Sequence, residues 1–146
     1  MTTTIYRHTF KKAFSDKEKS LLLEHIKSTI LHKVKADIYL SWDDLHFKIP
    51  FLTNNLNLFA MVDKGKFQFD NNSTLLYEIT YLKTSIFGFI VALTLAITSG
   101  QILMVLSMFA ALLLINWLII KNRHNAFFND LVFYADTNFD DKTQKG

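Results

Sequence analysis

The residues best suited to chemistry lie in the stretch Trp42-Asp43-Asp44-Leu45-His46. An imidazole close to two carboxylates is a combination that general acid–base catalysis uses. Two adjacent aspartates between predicted strands are, however, typical of a turn. We therefore expect no catalytic residues here, although His46 with Asp43 or Asp44 is the first place to look in a membrane-anchored enzyme.

The other candidate ligands do not form a metal or phosphate site. His25 and His32 are seven residues apart on a predicted helix, and two turns separate them by about 10 Å, too far to share one metal ion without a third element. The chain has no cysteine, which excludes thiolate chemistry and cysteine metal sites. Gly65 lacks the second glycine and the following helix of a phosphate-binding loop. We expect no metal and no cofactor.

Charge is distributed very unevenly along the chain. Residues 1–83 carry 12 Lys and Arg against 9 Asp and Glu, residues 84–120 carry neither, and residues 121–146 carry 4 of each kind. The formal net charge of +3 is small, and the acidic residues are interspersed among the basic ones. Nucleic-acid binding requires a basic face or stripe, so we expect no nucleic-acid partner.

The uncharged run is too long for one membrane crossing. Its 37 residues would form a helix of roughly 55 Å, against a hydrocarbon core of about 30 Å. The polar residues 99–101 divide it, and Gly100 can adopt the positive φ that ends a helix. The sequence therefore predicts a two-helix transmembrane hairpin, with helices at 84–98 and 102–120 and a turn at 99–101.

The residues that flank this run predict its orientation. Lys83 precedes the first helix, Lys121 and Arg123 follow the second, and the turn has no charge, so the positive-inside rule predicts that both termini are cytoplasmic. Tyr81 and Trp117 lie near the same boundary, where aromatic residues are favoured. We expect an integral, multi-pass protein of a bacterial inner membrane. A soluble protein with a buried helical hairpin is the alternative.

Small residues recur along both predicted membrane helices. Gly88, Ala92 and Ala96 are spaced by four residues, as are Ser107 and Ala111. Small side chains on one helix face let another helix approach closely. The pattern predicts packing within the hairpin, self-association, or contact with the membrane helices of a partner.

The segment before the run has the pattern of a small α+β domain, residues 1–83. Ser15 and Glu18 form a capping box, and apolar residues at three- and four-residue steps predict an amphipathic helix over 16–34. A strand is predicted at 4–10 and further strands at about 37–42, 45–51, 56–62, 66–70 and 74–82, with a tight turn at 63–65. The expected architecture is an antiparallel β-meander with one helix covering a face of the sheet.

The segment after the run, residues 121–146, is predicted to contain a short amphipathic helix and a disordered polar tail. The apolar strip of this helix consists of Phe127, Phe128, Leu131 and Val132. Such a strip needs cover, which the sheet, the lipid interface or another protein could supply.

The domain is expected to lie close to the bilayer, because few residues separate its last strand from the uncharged run. The lysines available to face anionic lipid contribute about 1 kcal/mol for each that reaches the surface. They are Lys11, Lys12, Lys33, Lys35, Lys64 and Lys66.

These features predict a non-catalytic small integral membrane protein, an accessory, assembly or scaffold subunit of a larger membrane complex. The expected partners are the lipid bilayer and a membrane protein, or a second copy of the chain. One alternative is a membrane-perturbing effector that acts by hairpin oligomerisation. Another is a membrane-anchored enzyme.

Overall fold

A computed structural model of the chain describes residues 3–50 and 62–140. Within these residues, five strands form one antiparallel sheet and three α-helices accompany it, so the predicted α+β content is confirmed. The strands are β1 (Thr3–Thr9), β2 (Asp37–Leu40), β3 (Asp44–Lys48), β4 (Lys64–Asn71) and β5 (Thr74–Thr80). The helices are α1 (Asp16–Lys33), α2 (Leu82–Ser99) and α3 (Ile102–Ala135), and a π-helical turn (Asp136–Asp140) follows α3.

The strand order in the sheet is β1-β5-β4-β3-β2, so β2 to β5 form a meander and β1 pairs with the free edge of β5. Strand residues alternate between the two faces. The inner face is covered by helices, and its fully buried side chains include Leu45, Phe67, Tyr77 and Ile79. The outer face carries mostly polar side chains.

Helix α1 begins at the predicted capping box. The backbone N–H of Glu18 donates to Ser15 Oγ, and the backbone N–H of Ser15 donates to Glu18 Oε2 at 2.8 Å. The bond from the Ser15 backbone N–H to the carboxylate, together with a hydrogen bond from Lys12 Nζ, lowers the pKa of Glu18 to about 2. The apolar stripe of the helix is completely buried against the inner face of the sheet at Leu22, Leu23, Ile26 and Ile30.

The turn predicted at 63–65 is wrong, because β4 begins at Lys64 and includes Gly65. Gly65 pairs with Phe47 on one side and Ile79 on the other, and a Cβ at this position would overlap the ring of Phe47. A glycine inside a strand often marks such a close approach, which resembles a turn signal in sequence. The strand predicted at 56–62 lies almost entirely outside the described residues.

Helices α2 and α3 are joined at Gly100, whose φ of 68° is the left-handed conformation predicted for this glycine. The helices pack side by side, with the ring centroids of Phe89 and Phe109 6.3 Å apart. The turn thus lies where the sequence predicts it.

The predicted transmembrane hairpin and two-crossing topology are nevertheless wrong. Within residues 3–50 and 62–140, one helix, Ile102–Phe139, is long and apolar enough to cross a membrane. The apolar stretch found in α2, Phe89–Thr98, rises about 15 Å, roughly half of the hydrocarbon core. The predicted multi-pass localisation with both termini cytoplasmic is therefore wrong as well. The uncharged run is long enough for two crossings in total, but the apolar stretch within α2 is too short to be one of them.

Helix α3 has two parts with different surroundings. We call residues 102–119 the exposed half, since their side chains are exposed or half-exposed, and residues 120–135 the packed half, since one face of it enters the core of the domain. Residues 136–140, expected in a disordered tail, form the π-helical turn, and Phe139 is buried.

Candidate functional site

The exposed half of α3 presents a continuous apolar surface. Leu103 is 86% exposed, and the 18-residue window that meets the criteria for a membrane span has none of its residues buried. An apolar surface of this extent is larger than monomeric soluble proteins normally expose. The large exposed apolar side chains of this half are Ile102, Leu103, Met104, Met108, Leu112, Leu114, Ile115, Leu118 and Ile119.

Three hydroxyl groups on the two apolar helices, those of Thr94, Thr98 and Ser107, bond within their own helix. Ser107 Oγ donates to the carbonyl of Met104 at 2.9 Å, and Thr94 Oγ1 donates to that of Ile90 at 2.9 Å. Thr98 bonds to α2 carbonyls in the same way. Polar groups satisfied in this manner are compatible with a lipid environment, which offers no hydrogen-bond partners.

The small residues predicted to pack between helices have different surroundings. Ala92 and Ala96 of α2 are buried, and α3 is the element that α2 mainly contacts. Ser107 and Ala111 are exposed on α3. Gly88 lies within α2.

The residues predicted at the membrane interface also differ in their surroundings. Tyr81 is buried, and its hydroxyl lies 3.0 Å from Thr4 Oγ1. Trp117 is half-buried, with Lys121 Nζ 5.1 Å from its ring centroid, and Arg123 is exposed. Lys83 lies in the first turn of α2.

The strip of four apolar residues after the uncharged run is packed on the sheet, which is one of the three placements expected from the sequence. Phe127, Phe128, Leu131 and Val132 belong to the same buried core as the inner face of the sheet. The rings of Phe127 and Phe128 lie about 6 Å, centroid to centroid, from that of Tyr77. The strip therefore joins α3 to the domain.

A buried polar pair lies at the centre of this contact, and the sequence analysis missed it. The hydroxyl of Tyr77 is 2.7 Å from Nδ1 of His124, and both side chains are fully buried. The spacing of His124 from Phe127, Phe128 and Leu131 places it on the buried face of α3, and this spacing could have identified it.

The phenols of Tyr77 and of its neighbour Tyr6 remain protonated at neutral pH. Burial raises the pKa of Tyr77 well above its usual range, with a further contribution from Tyr6. Burial, with a contribution from Tyr81, raises the pKa of Tyr6 to about 12. Tyr6 donates its hydroxyl hydrogen to the backbone carbonyl of Lys121 at 2.9 Å. These groups hold the packed half of α3 on the sheet as neutral hydrogen-bond partners.

The second candidate surface is a groove of about 510 Å³ on the outer face of the sheet. It contains His46, whose Nε2 lies 3.2 Å from Asp44 Oδ2. The same oxygen is 3.6 Å from Lys66 Nζ, whereas Asp43 contacts Lys19 instead. The polar side chains that line the groove are those of Asp37, Tyr39, His46, Lys48, Lys64, Lys66, Glu78 and Thr80.

Similarity to known proteins does not identify a function. The chain matches no protein family, no curated protein and no solved structure. Its function has to be argued from the two surfaces described above, the exposed half of α3 and the groove on the outer face of the sheet.

Proposed function

We propose that this protein is a membrane-anchored accessory or scaffold protein, in which the exposed half of α3, with α2 packed against it, is the anchor and the α+β domain is held at the membrane surface. One observation carries the proposal. A single uninterrupted helix is apolar and exposed over residues 102–119, and from Ile120 onward it is packed into the core of the domain.

The exposed half has the physical properties of a membrane segment. Its 18 residues rise about 27 Å, close to the thickness of the hydrocarbon core of about 30 Å. It has no charged side chain, and Ser107 is satisfied by the backbone of its own helix. Transfer from water to lipid would bury the apolar surface that the domain leaves uncovered.

The packed half supports a scaffold role because it leaves no flexible linker between anchor and domain. Ile120 is already buried in the domain core, and the next residue, Lys121, accepts the hydrogen bond from Tyr6 through its carbonyl. A domain attached in this way keeps a fixed orientation relative to the anchor, unlike a domain on a Gly- or Ser-rich tether.

The location of the strongly perturbed tyrosines favours a structural role over an enzymatic one. Groups with shifted pKa values mark an active site when they lie in a cleft. Tyr6 and Tyr77 are instead enclosed by aromatic rings in the contact between α3 and the sheet. A membrane-protein partner or a second copy of the chain could approach α3 closely at the exposed Ser107 and Ala111.

Membrane fractionation followed by purification tests the proposal. The full chain should stay in the membrane pellet after alkaline carbonate extraction and should float with the membranes in a density gradient. Purification in mild detergent from the native host should recover partners in constant stoichiometry. Release by carbonate would contradict the anchor, and a clean monomer would contradict the accessory role.

A further inference from the structure

Four basic side chains form a compact block on the outer face of the sheet. His46 and Lys48 are two residues apart on β3, and Lys64 and Lys66 are two residues apart on β4. The strand register places Lys48 directly opposite Lys64 and His46 directly opposite Lys66. We call these four residues the basic block. Like charges directly opposite each other destabilise a sheet, so the Lys48–Lys64 pair requires a compensating interaction.

The domain compensates the block incompletely. Asp44 serves both His46 and Lys66, at 3.2 and 3.6 Å. Among residues 3–50 and 62–140, no ion pair joins Lys48 or Lys64 to a carboxylate. Residues 51–61 have no charged side chain and therefore cannot neutralise these two lysines.

Lys48 and Lys64, which make no ion pair within the described residues, lie at the end of the sheet from which the apolar helices extend. Lys64 pairs with Lys48 on one side and with Thr80, the last residue of β5, on the other. The chain continues from Thr80 through Tyr81 directly into α2. This end of the sheet therefore faces the membrane surface when the exposed half of α3 is in the bilayer.

The groove around the block can accommodate a polar ligand. Its volume of about 510 Å³ is within the range of small-molecule sites. Tyr39, opposite His46 on β2, is 83% exposed and adds a hydroxyl group to the groove. Asp37 lies directly opposite Lys48 on β2, and Glu78 lies directly opposite Lys66 on β5, so Lys64 is the lysine of the block that has no carboxylate directly opposite it.

We propose that the basic block binds the phosphate-bearing headgroup of an anionic phospholipid, an inference that rests on the membrane anchor proposed above. Lysine binds phosphate as a point charge. A phosphate between Lys48 and Lys64 would contact both members of the like-charged pair that faces across β3 and β4. Anionic lipids carry phosphate groups at the membrane surface, and the anchor holds this end of the sheet close to that surface.

Native mass spectrometry of the full chain in detergent tests the proposal. Phosphatidylglycerol and phosphatidylcholine are titrated separately into the wild type, into K48Q/K64Q, and into the control K11Q/K17Q. The control removes two exposed lysines, one after the opposite end of β1 and one in the first turn of α1, and so changes the net charge equally. Melting temperatures verify that both variants fold.

The wild type and the control should bind phosphatidylglycerol in preference to phosphatidylcholine. K48Q/K64Q should lose affinity for phosphatidylglycerol by about thirty-fold, with little change for phosphatidylcholine. Equal phosphatidylglycerol affinity in the wild type and K48Q/K64Q would overturn the proposal. Displacement of phosphatidylglycerol by millimolar inorganic phosphate would also overturn it, because the site would then select a soluble anion.

Failure of this proposal is distinguishable from failure of the anchor. K48Q/K64Q should still float with membranes, because its α3 is unchanged. A wild-type protein that does not float contradicts the anchor. Loss of lipid selectivity in detergent contradicts the headgroup site alone.

Discussion

The two halves of α3 have the same backbone structure and opposite surroundings. In the exposed half, apolar side chains surround the whole helix, and the domain covers none of the candidate membrane window. In the packed half, the large apolar residues other than Phe133 occupy one face, and the other face carries Lys121, Asn122, Arg123, Asn125, Asn129 and Asp130, all exposed. The comparison shows that a continuous helical backbone does not fix the surroundings of a helix. The distribution of apolar residues around the helix axis determines what each half of α3 contacts.

Truncation in the packed half should break the comparison most strongly. Phe127→Ala removes a ring buried against Tyr77 and Phe67, so we expect the free energy of unfolding to fall by about 3–5 kcal/mol. Phe133→Ala removes a ring that is 73% exposed on the same half and should change stability by no more than about 0.5 kcal/mol. Denaturant unfolding in mild detergent measures both values. Similar losses for the two variants would contradict the described packing.

A charge in the exposed half should affect membrane association rather than folding of the domain. Leu112→Lys places an ammonium group near the middle of the proposed membrane segment, at a cost of about 2.5–3.5 kcal/mol for insertion. We expect a larger fraction of this variant in the carbonate-soluble pool. Phe133→Lys is the matched control, because it changes an exposed apolar residue of the packed half and should leave the protein in the pellet.

Loss of the buried hydrogen bond should weaken the packed half moderately. Tyr77→Phe keeps the ring stacked on Phe67 and removes the hydroxyl that lies 2.7 Å from His124 Nδ1. We expect a loss of about 1–3 kcal/mol of unfolding free energy, since a buried polar atom loses a partner. Tyr39→Phe, at an 83% exposed position, should be close to neutral. Hydrogen exchange should increase within 120–135 for Tyr77→Phe, and unchanged exchange there would argue against this role.

The smallest expected effect is a dependence of the packed half on pH. The ring of His25 in α1 stacks on Tyr134 of α3 with centroids 3.6 Å apart, and burial lowers the pKa of His25 below 6.5. Below about pH 6.5 the unfolded chain binds a proton at this position before the folded chain does, so the stabilisation is present at higher pH and declines as the pH falls.

Melting temperatures measured from about pH 7 to pH 5 test this effect. In the control His25→Gln, the part of the decrease in stability that comes from protonation of His25 should be absent. Glu18 does not contribute within that window. Its pKa of about 2, lowered from 4.5, means that its stabilisation is lost only as the pH falls from about 4.5 towards 2. An identical pH profile for the wild type and His25→Gln would show that the stack does not depend on the protonation of His25.

Features with a local physical cause could be predicted from the sequence. The capping box at Ser15 and Glu18 fixes the start of α1, and Gly100 ends α2 because it can take a positive φ. The assignment of Gly65 to a turn failed, since only the packed fold reveals the ring of Phe47 over that position. The two-crossing prediction failed because the absence of charge does not measure how much apolar helix is available.

The basic block could be predicted only in part. Lys64 and Lys66 were among the lysines expected to face lipid, whereas Lys48 was not. Its contribution depends on the register between β3 and β4. The mistaken turn at 63–65 placed Lys64 outside a strand, where it has no cross-strand neighbour. Register is a tertiary property, so the alignment of Lys48 with Lys64 becomes visible only in the folded sheet.

The absence of a break between the two halves of α3 has a mechanical consequence. A membrane helix adjusts its tilt to the thickness of the surrounding bilayer. With the exposed half of α3 in the bilayer, as proposed, the same helix continues into the domain core through Ile120, so a change in its tilt would rotate the sheet by a similar angle. The proposed anchor would therefore make the inclination of the β-sheet above the membrane depend on the thickness of the bilayer.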